Sequence, residues 1–328
     1  MRKVPVKRLT PGMVLARDVT IRSPHPDVLY KLRIDSGESL SDTQIKRLKK
    51  VGYPGVYIQD DATEDLSAFI VDEEVEQVQK EVFDAFEHFR NEFESGSSSN
   101  VNITRLRRAI TQLIESLKNS PVMAAFTTLK SHDDYTAKHS LDVTKLSLRL
   151  ALENESFVQH VLKRESGVKP SYIQKYLLED LGMGAMLHDF GKESVDSDIL
   201  TKPDKLNDEE WEEIMKHPFE GFDRLKSIEA ELRAPIRIVS YHHHEKYDGT
   251  GYPQGLKAHK IHLYGRVSAC ADVYSALTSE RSYRSAHSPS NALTIMKDMQ
   301  DEGPHFDPDL WERFQDLIFP YPIGQTVV

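Results

Sequence analysis

The sequence has one cysteine, Cys270, in 328 residues. This excludes an intramolecular disulfide, a cysteine-rich zinc site and an iron–sulfur cluster. It fits a reducing, cytoplasmic compartment. No apolar run approaches the roughly 20 residues that span a bilayer. The opening MRKVPVKRLTPGM lacks the apolar core of a secretory signal. Basic residues are in deficit, with 42 Lys and Arg against 52 Asp and Glu and a net charge of −10. That argues against long nucleic acid as a partner. An anionic substrate would need a local positive field, from a metal or a few placed Arg and Lys.

What is present is an ordinary globular composition, 39% hydrophobic and 29% charged, with a length that predicts about two domains. Residues 1–62 carry short β-branched runs punctuated by Pro11-Gly12 and Gly37. Between them SDTQIKRLKK reads as a short helix capped by Ser41. The expectation is a small α+β regulatory domain. Residues 63–100 read as a Glu-rich helix followed by a GSSSN linker at 96–100. From 101 to 328 the chain is mainly α, with apolar residues recurring at three and four in LRRAITQLIESL, LDVTKLSLRLAL and NALTIMKDM.

The 14 histidines concentrate between 132 and 262. His188 and Asp189 are adjacent at the end of an apolar helix, where both can reach one pocket. Imidazole with carboxylate suits Mn, Fe or Zn. Taken alone, the pair also fits a capping Asp beside a core His. His139 shares a face with Val143, Leu146 and Leu150, and His243 with Ile236 and Val239, so both point inward. His242, His243 and His244 are consecutive, and three neutral imidazoles are costly to bury without partners. Asp272 lies mid-helix on a face of small residues, Gly265, Ser268, Ala269 and Ala276. Its partner there is either a metal or an Arg such as Arg266 or Arg281. His259 and His262 read as solvated.

These stretches resemble the HD-GYP subgroup of the HD phosphohydrolases. The resemblance rests on DYTAKHSLDV (134–143), MLHDFGK (186–192), ILTKPDKL (199–206), KHPFEGFDRL (216–225), HHEKYDGTGYP (243–253), GRVSACADVYSALTSERSYR (265–284) and FDP (306–308). LTPGMVLARDV resembles the opening of a small N-terminal domain often fused to such proteins. The resemblance implies a helical HD-domain bundle around two divalent metal ions, iron or manganese. It implies His139, His188, Asp189, His217, His243, His244 and Asp272 as ligands, with Asp189 bridging. A third metal is not expected, because Tyr135 stands where a ligating Glu is found in some members. The implied activity is cyclic di-GMP phosphodiesterase, giving linear pGpG and possibly GMP through a metal-bridging hydroxide. Lys192 is the expected catalytic and phosphate contact, and Arg281 and Arg284 the grip on a second phosphate. Ser275 replaces an Asp that contacts nucleotide in the family. The DGTGYP loop reads as a site wall or a partner surface. Homodimerisation or signalling-protein partners fit such a module. The alternatives are a non-catalytic module binding cyclic dinucleotides or partner proteins, and an HD hydrolase of another nucleotide.

Overall fold

The computed structural model describes residues 2–15, 19–21, 32–50, 55–59, 73–95, 103–119, 135–167, 169–202, 204–228, 231–279 and 286–318. The chain divides into a small unit within Met1–Ile70 and a larger one within Val71–Tyr321.

In the small unit the order is β1 (Arg2–Pro5), β2 (Val19–Ile21), β3 (Leu32–Ile34), α1 (Asp42–Lys50) and β4 (Gly55–Ile58). β1 pairs antiparallel with β4, Val4 opposite Val56, and β2 with β3, Val19 opposite Ile34. Ser41 starts α1 as its sequence predicts. Its Oγ accepts from the Gln44 N–H at 3.3 Å, and Gln44 Oε1 accepts from the Ser41 N–H at 2.8 Å. Ile45 and Leu48 face inward against Leu15, Ile34 and Leu40.

The large unit is mainly α: α2 (Glu73–Glu94), α3 (Thr104–Asn119), α4 (Tyr135–Glu153), α5 (Glu155–Ser166), α6 (Pro170–Met186), α7 (Ser197–Leu200), α8 (Asp208–Ile214), α9 (His217–Lys226), α10 (Ala234–His242), α11 (Leu263–Thr278), α12 (Pro289–Glu302) and α13 (Pro308–Leu317). Pro170, Pro218, Pro235, Pro289 and Pro308 occupy first-turn positions, where a missing N–H costs nothing. α2 packs along α3, so residues 73–94 belong to the helical unit. The GSSSN stretch between those helices lies outside the described residues.

α4 packs on α6 and on α11, and α10 on α6, α9 and α11. Val143, Leu146 and Leu150 of α4 join one apolar core with α5, α6 and α11–α13. Ala137, Leu141 and Leu148 join a second core with α2, α3 and α6. Each fully buried Leu or Ile in these layers stabilises the fold by roughly 2 kcal/mol. The small residues of α11 serve close approach: a Cβ at Gly265 would collide with His242 on α10.

Two buried ionic networks brace this frame. Arg266 of α11 donates to Glu165, to Asp307 and, at 3.0 Å, to the Ile261 carbonyl. Asp180 of α6 accepts from Arg233 Nε at 2.5 Å and from Tyr172 Oη at 3.1 Å. Arg233 also reaches Glu179 at 2.5 Å. Asp307 doubles as the cap of α13, accepting from the Asp309 N–H at 3.0 Å.

Candidate metal centre

The candidate ligands stand mainly where helices begin or end. The chain leaves α6 at Leu187 and turns through His188 and Asp189 into a 3₁₀ segment, Phe190–Ser194. Gly191 is required there, because a Cβ would collide with the His217 carbonyl oxygen at the start of α9. That contact brings His217, the first residue of α9, beside the His-Asp turn. His243 caps the C-terminus of α10 and His244 follows it. His139 and Asp272 come from the interiors of the packed pair α4 and α11.

Asp189 is the hub. Its Oδ2 lies 3.6 Å from His139 Nε2 and 3.3 Å from His188 Nε2. Its Oδ1 lies 3.4 Å from His217 Nε2 and 3.6 Å from His243 Nε2. Asp272 closes both sides: Oδ1 is 2.9 Å from His139 Nε2 and 3.9 Å from His188 Nε2, and Oδ2 is 3.7 Å from His244 Nδ1. Arg266, one of the two arginines that sequence offered as an alternative partner, is committed elsewhere, and Asp272 faces imidazoles. Three overlapping sets of donors, each within 4.8 Å, therefore fit a metal ion: Asp189 with His217, His243 and His244; His139 with His188 and Asp189; His188 with His243 and Asp272.

The tautomers argue for cations at this position. His188 Nδ1 lies 2.7 Å from the Ala185 carbonyl, His217 Nδ1 2.6 Å from that of Ile214, and His243 Nδ1 2.8 Å from that of Ser240. An Nδ1–H donating to each carbonyl leaves each Nε2 as a bare lone pair directed at the hub. His217 Nε2 and His243 Nε2 then face each other at 3.2 Å as two acceptors. His188 Nε2 and Asp189 Oδ1 are buried without a hydrogen-bond partner. Converging buried acceptors with no donor are unfavourable unless a cation joins them.

Electrostatics points the same way. Burial pushes the Asp189 carboxyl up, but His188, Lys192 and His217 together hold it well below the usual carboxylate range. Asp272 is likewise pushed up by burial and held well down by His139, His244 and His188. Burial pushes His217 down to about 4 and His244 well below its ordinary value. Buried His217 and His244 thus stand neutral beside anionic carboxylates, the protonation state in which both bind metal.

Lys192 donates to Asp189 Oδ2 at 2.6 Å while its side chain remains 27% exposed, so it spans from the hub to solvent. Ser275 is buried, its Oγ 3.0 Å from His139 Nδ1, behind that imidazole. Arg281 and Arg284 lie outside the described residues, as do Asp133 and Asp134. His242 sits beside the cluster and accepts from the His262 N–H at 3.0 Å. His262 corrects the solvated reading: half-buried, it caps α11, accepting from the Tyr264 N–H at 3.2 Å. Its place directly before an apolar helix is the signal that reveals it.

The DGTGYP loop closes over the His pair. Tyr252 stacks on His244 with centroids 4.8 Å apart. A Cβ on Gly251 would collide with the backbone of residues 244–246. Buried Glu245 accepts from the Gln254 N–H at 2.7 Å and the Leu256 N–H at 2.8 Å, fixing the loop to the end of α10.

The site is thus an adjacent His and Asp at a helix end that open a buried His/Asp cluster within a helical bundle. Residues 169–310 match the family model for the HD domain. That match covers less than half of the chain. It is 34% identical over 211 residues to a cyclic di-GMP phosphodiesterase of Pseudomonas aeruginosa, covering 64% of this chain and 46% of that protein. It is 34% identical over 206 residues to a cyclic di-GMP phosphodiesterase of Vibrio cholerae, covering 61% and 40%. The chain thus spans less than half the length of these relatives. A 3'3'-cGAMP-specific phosphodiesterase of Vibrio cholerae is 37% identical over 126 residues, 38% of this chain and 24% of that protein. Among solved structures, an HDG"Y"P protein from Bdellovibrio bacteriovorus shares the fold at a TM-score of 0.56 and 17% identity, covering 96% of this chain and 98% of that one. No described helix is long and apolar enough to cross a membrane.

Proposed function

We propose that the chain is a metal-dependent phosphodiesterase that hydrolyses cyclic di-GMP to linear pGpG, and onward to GMP. The carrying observation is Asp189, whose two oxygens face two separate groups of imidazoles. In this reading Asp189, with His139, His188 and Asp272 on one side and His217, His243 and His244 on the other, would hold two ions, iron or manganese. Such ions supply positive charge against a phosphodiester and lower the pKa of water they bind.

The chain's own groups do the rest. The carbonyl-bound Nδ1 atoms keep the imidazoles oriented before substrate arrives. Buried walls exclude bulk water and strengthen each charge interaction. Lys192 supplies the mobile cation that an acidic chain otherwise lacks here, swinging from Asp189 to a phosphate oxygen and protonating the leaving alkoxide. Arg281 and Arg284 are the proposed grip on the second phosphate. The small α+β unit has no metal-binding cluster among its described residues and is assigned a regulatory role.

The names of the relatives support cyclic dinucleotides as the substrate class. The test is chromatography of products from cyclic di-GMP and 3'3'-cGAMP incubated with protein purified anaerobically. Linear pGpG or GMP from cyclic di-GMP is expected. Both substrates remaining intact on metal-loaded protein would contradict the reading.

A further inference from the structure

Only Leu200, Trp211 and Phe219 are large hydrophobic residues left exposed among the described residues. Phe219 leads through Tyr241 to His242 beside the cluster, whereas the row that starts at Trp211 ends on a candidate ligand. The Trp211 indole meets Tyr252 edge to face at 6.4 Å, and Tyr252 stacks on the candidate ligand His244. A row of aromatic rings therefore runs from the metal centre to solvent and ends in an indole that is 47% exposed.

The helix that carries the indole is braced at its start. Asn207 Oδ1 accepts from the Glu210 N–H at 2.8 Å, and Glu210 Oε2 accepts from the Asn207 N–H at 2.9 Å, closing the start of α8. Lys202 Nζ reaches both Glu210 oxygens at 2.7 Å. The helix presenting the indole thus carries an exposed aromatic on a braced turn. Exposing so much apolar area has no packing benefit. The surroundings select which part of a ligand rests there. The helix is acidic, with Asp208, Glu209, Glu210, Glu212 and Glu213 on either side of Trp211 in the sequence. Its charge disfavours a phosphate and tolerates a neutral, flat, apolar-faced group.

We propose that Trp211 is the stacking platform for one nucleobase of the dinucleotide whose phosphodiester lies at the metal centre, with Tyr252 positioning it. The inference rests on the proposed function and adds the base contact that the metal cluster cannot provide. Base–aromatic stacking accounts for about 5- to 150-fold in affinity per base.

The chain has two tryptophans. The other, Trp311, is buried and stacked on Phe306 at 5.5 Å, so the exposed fluorophore is Trp211. The probe is a phosphorothioate analogue of cyclic di-GMP that resists cleavage, added to the metal-loaded full chain. Wild type is expected to bind with a change in tryptophan emission. By calorimetry Trp211→Ala is expected to bind roughly tenfold more weakly, with metal content per chain retained. Trp211→Tyr is expected to recover most of the affinity. Undiminished affinity in Trp211→Ala overturns the platform and leaves the proposed function standing. A loss of bound metal in Trp211→Ala, or no recovery with tyrosine, assigns the residue to the fold and overturns the platform. Wild type that neither binds the analogue nor cleaves cyclic di-GMP overturns both.

Discussion

The helical unit buries two kinds of charged cluster, and they differ in whether they close on themselves. Around Arg266 the guanidinium finds Glu165, Asp307 and a backbone carbonyl. Around Asp180 the carboxylate finds Arg233 and Tyr172. In both, each carboxylate has a guanidinium partner within the protein. Around Asp189 stand a second carboxylate and the imidazoles of His188, His217 and His243, whose N–H groups are already spent on backbone carbonyls. Lys192 brings a cation to the hub, and its side chain reaches solvent. A buried ion pair that balances internally braces the frame. A buried cluster short of positive charge awaits a ligand. The distinction lies in counting donors against acceptors, and burial alone does not reveal it.

Substitutions should separate the two kinds. The largest effect is expected from Asp189→Asn, which keeps the shape and removes the shared charge. Turnover of cyclic di-GMP should fall by roughly 10³-fold or more, and metal analysis should show loss of bound ion while circular dichroism stays helical. Full activity in this variant would remove the basis for the metal centre. Arg266→Ala should do the reverse. Leaving buried Asp307 with only backbone donors and Glu165 with only Arg164 should cost about 3 kcal/mol in urea unfolding, with metal content per folded chain retained.

Acid should act on the imidazoles in the same sense. Burial holds His217, His242 and His262 at about 4 in the folded chain. In the unfolded chain they titrate near 6.5. Between those values the unfolded state binds more protons, so stability falls as pH falls. Chelator-treated protein should lose on the order of a few kcal/mol from pH 7 to pH 4. A urea midpoint that rises over that window would contradict the neutral imidazoles. The smallest effect is expected from Ser275→Ala. Removing the hydroxyl behind His139 should weaken metal retention about tenfold in a chelator competition.

Much of this was legible in the sequence because helical periodicity places residues on faces. His139 and His243 shared spacing with core residues and do point inward. The adjacent His188 and Asp189 need only a helix end to meet, and Gly191 supplies the close approach to α9. Other features depend on tertiary geometry. The composition of GSSSN suggests a linker, yet α2 packs on α3 across it. Spacing could offer an arginine for Asp272, but only the packing shows Arg266 turned to Glu165 and Asp307. Ser275 reads as a substituted nucleotide contact, whereas its hydroxyl meets His139. Trp211 carries no motif signal, since its exposure and its contact with Tyr252 emerge only when residues 211 and 252 are brought together.

The central claim is that Asp189 joins two metal positions. Its most direct test is electron paramagnetic resonance of chelator-treated protein titrated with Mn²⁺, comparing wild type with Asp189→Asn. Wild type should saturate near two ions per chain with the spectrum of an exchange-coupled pair, and the variant should lose the coupling. A single isolated Mn²⁺ signal saturating at one ion per chain in wild type would contradict it.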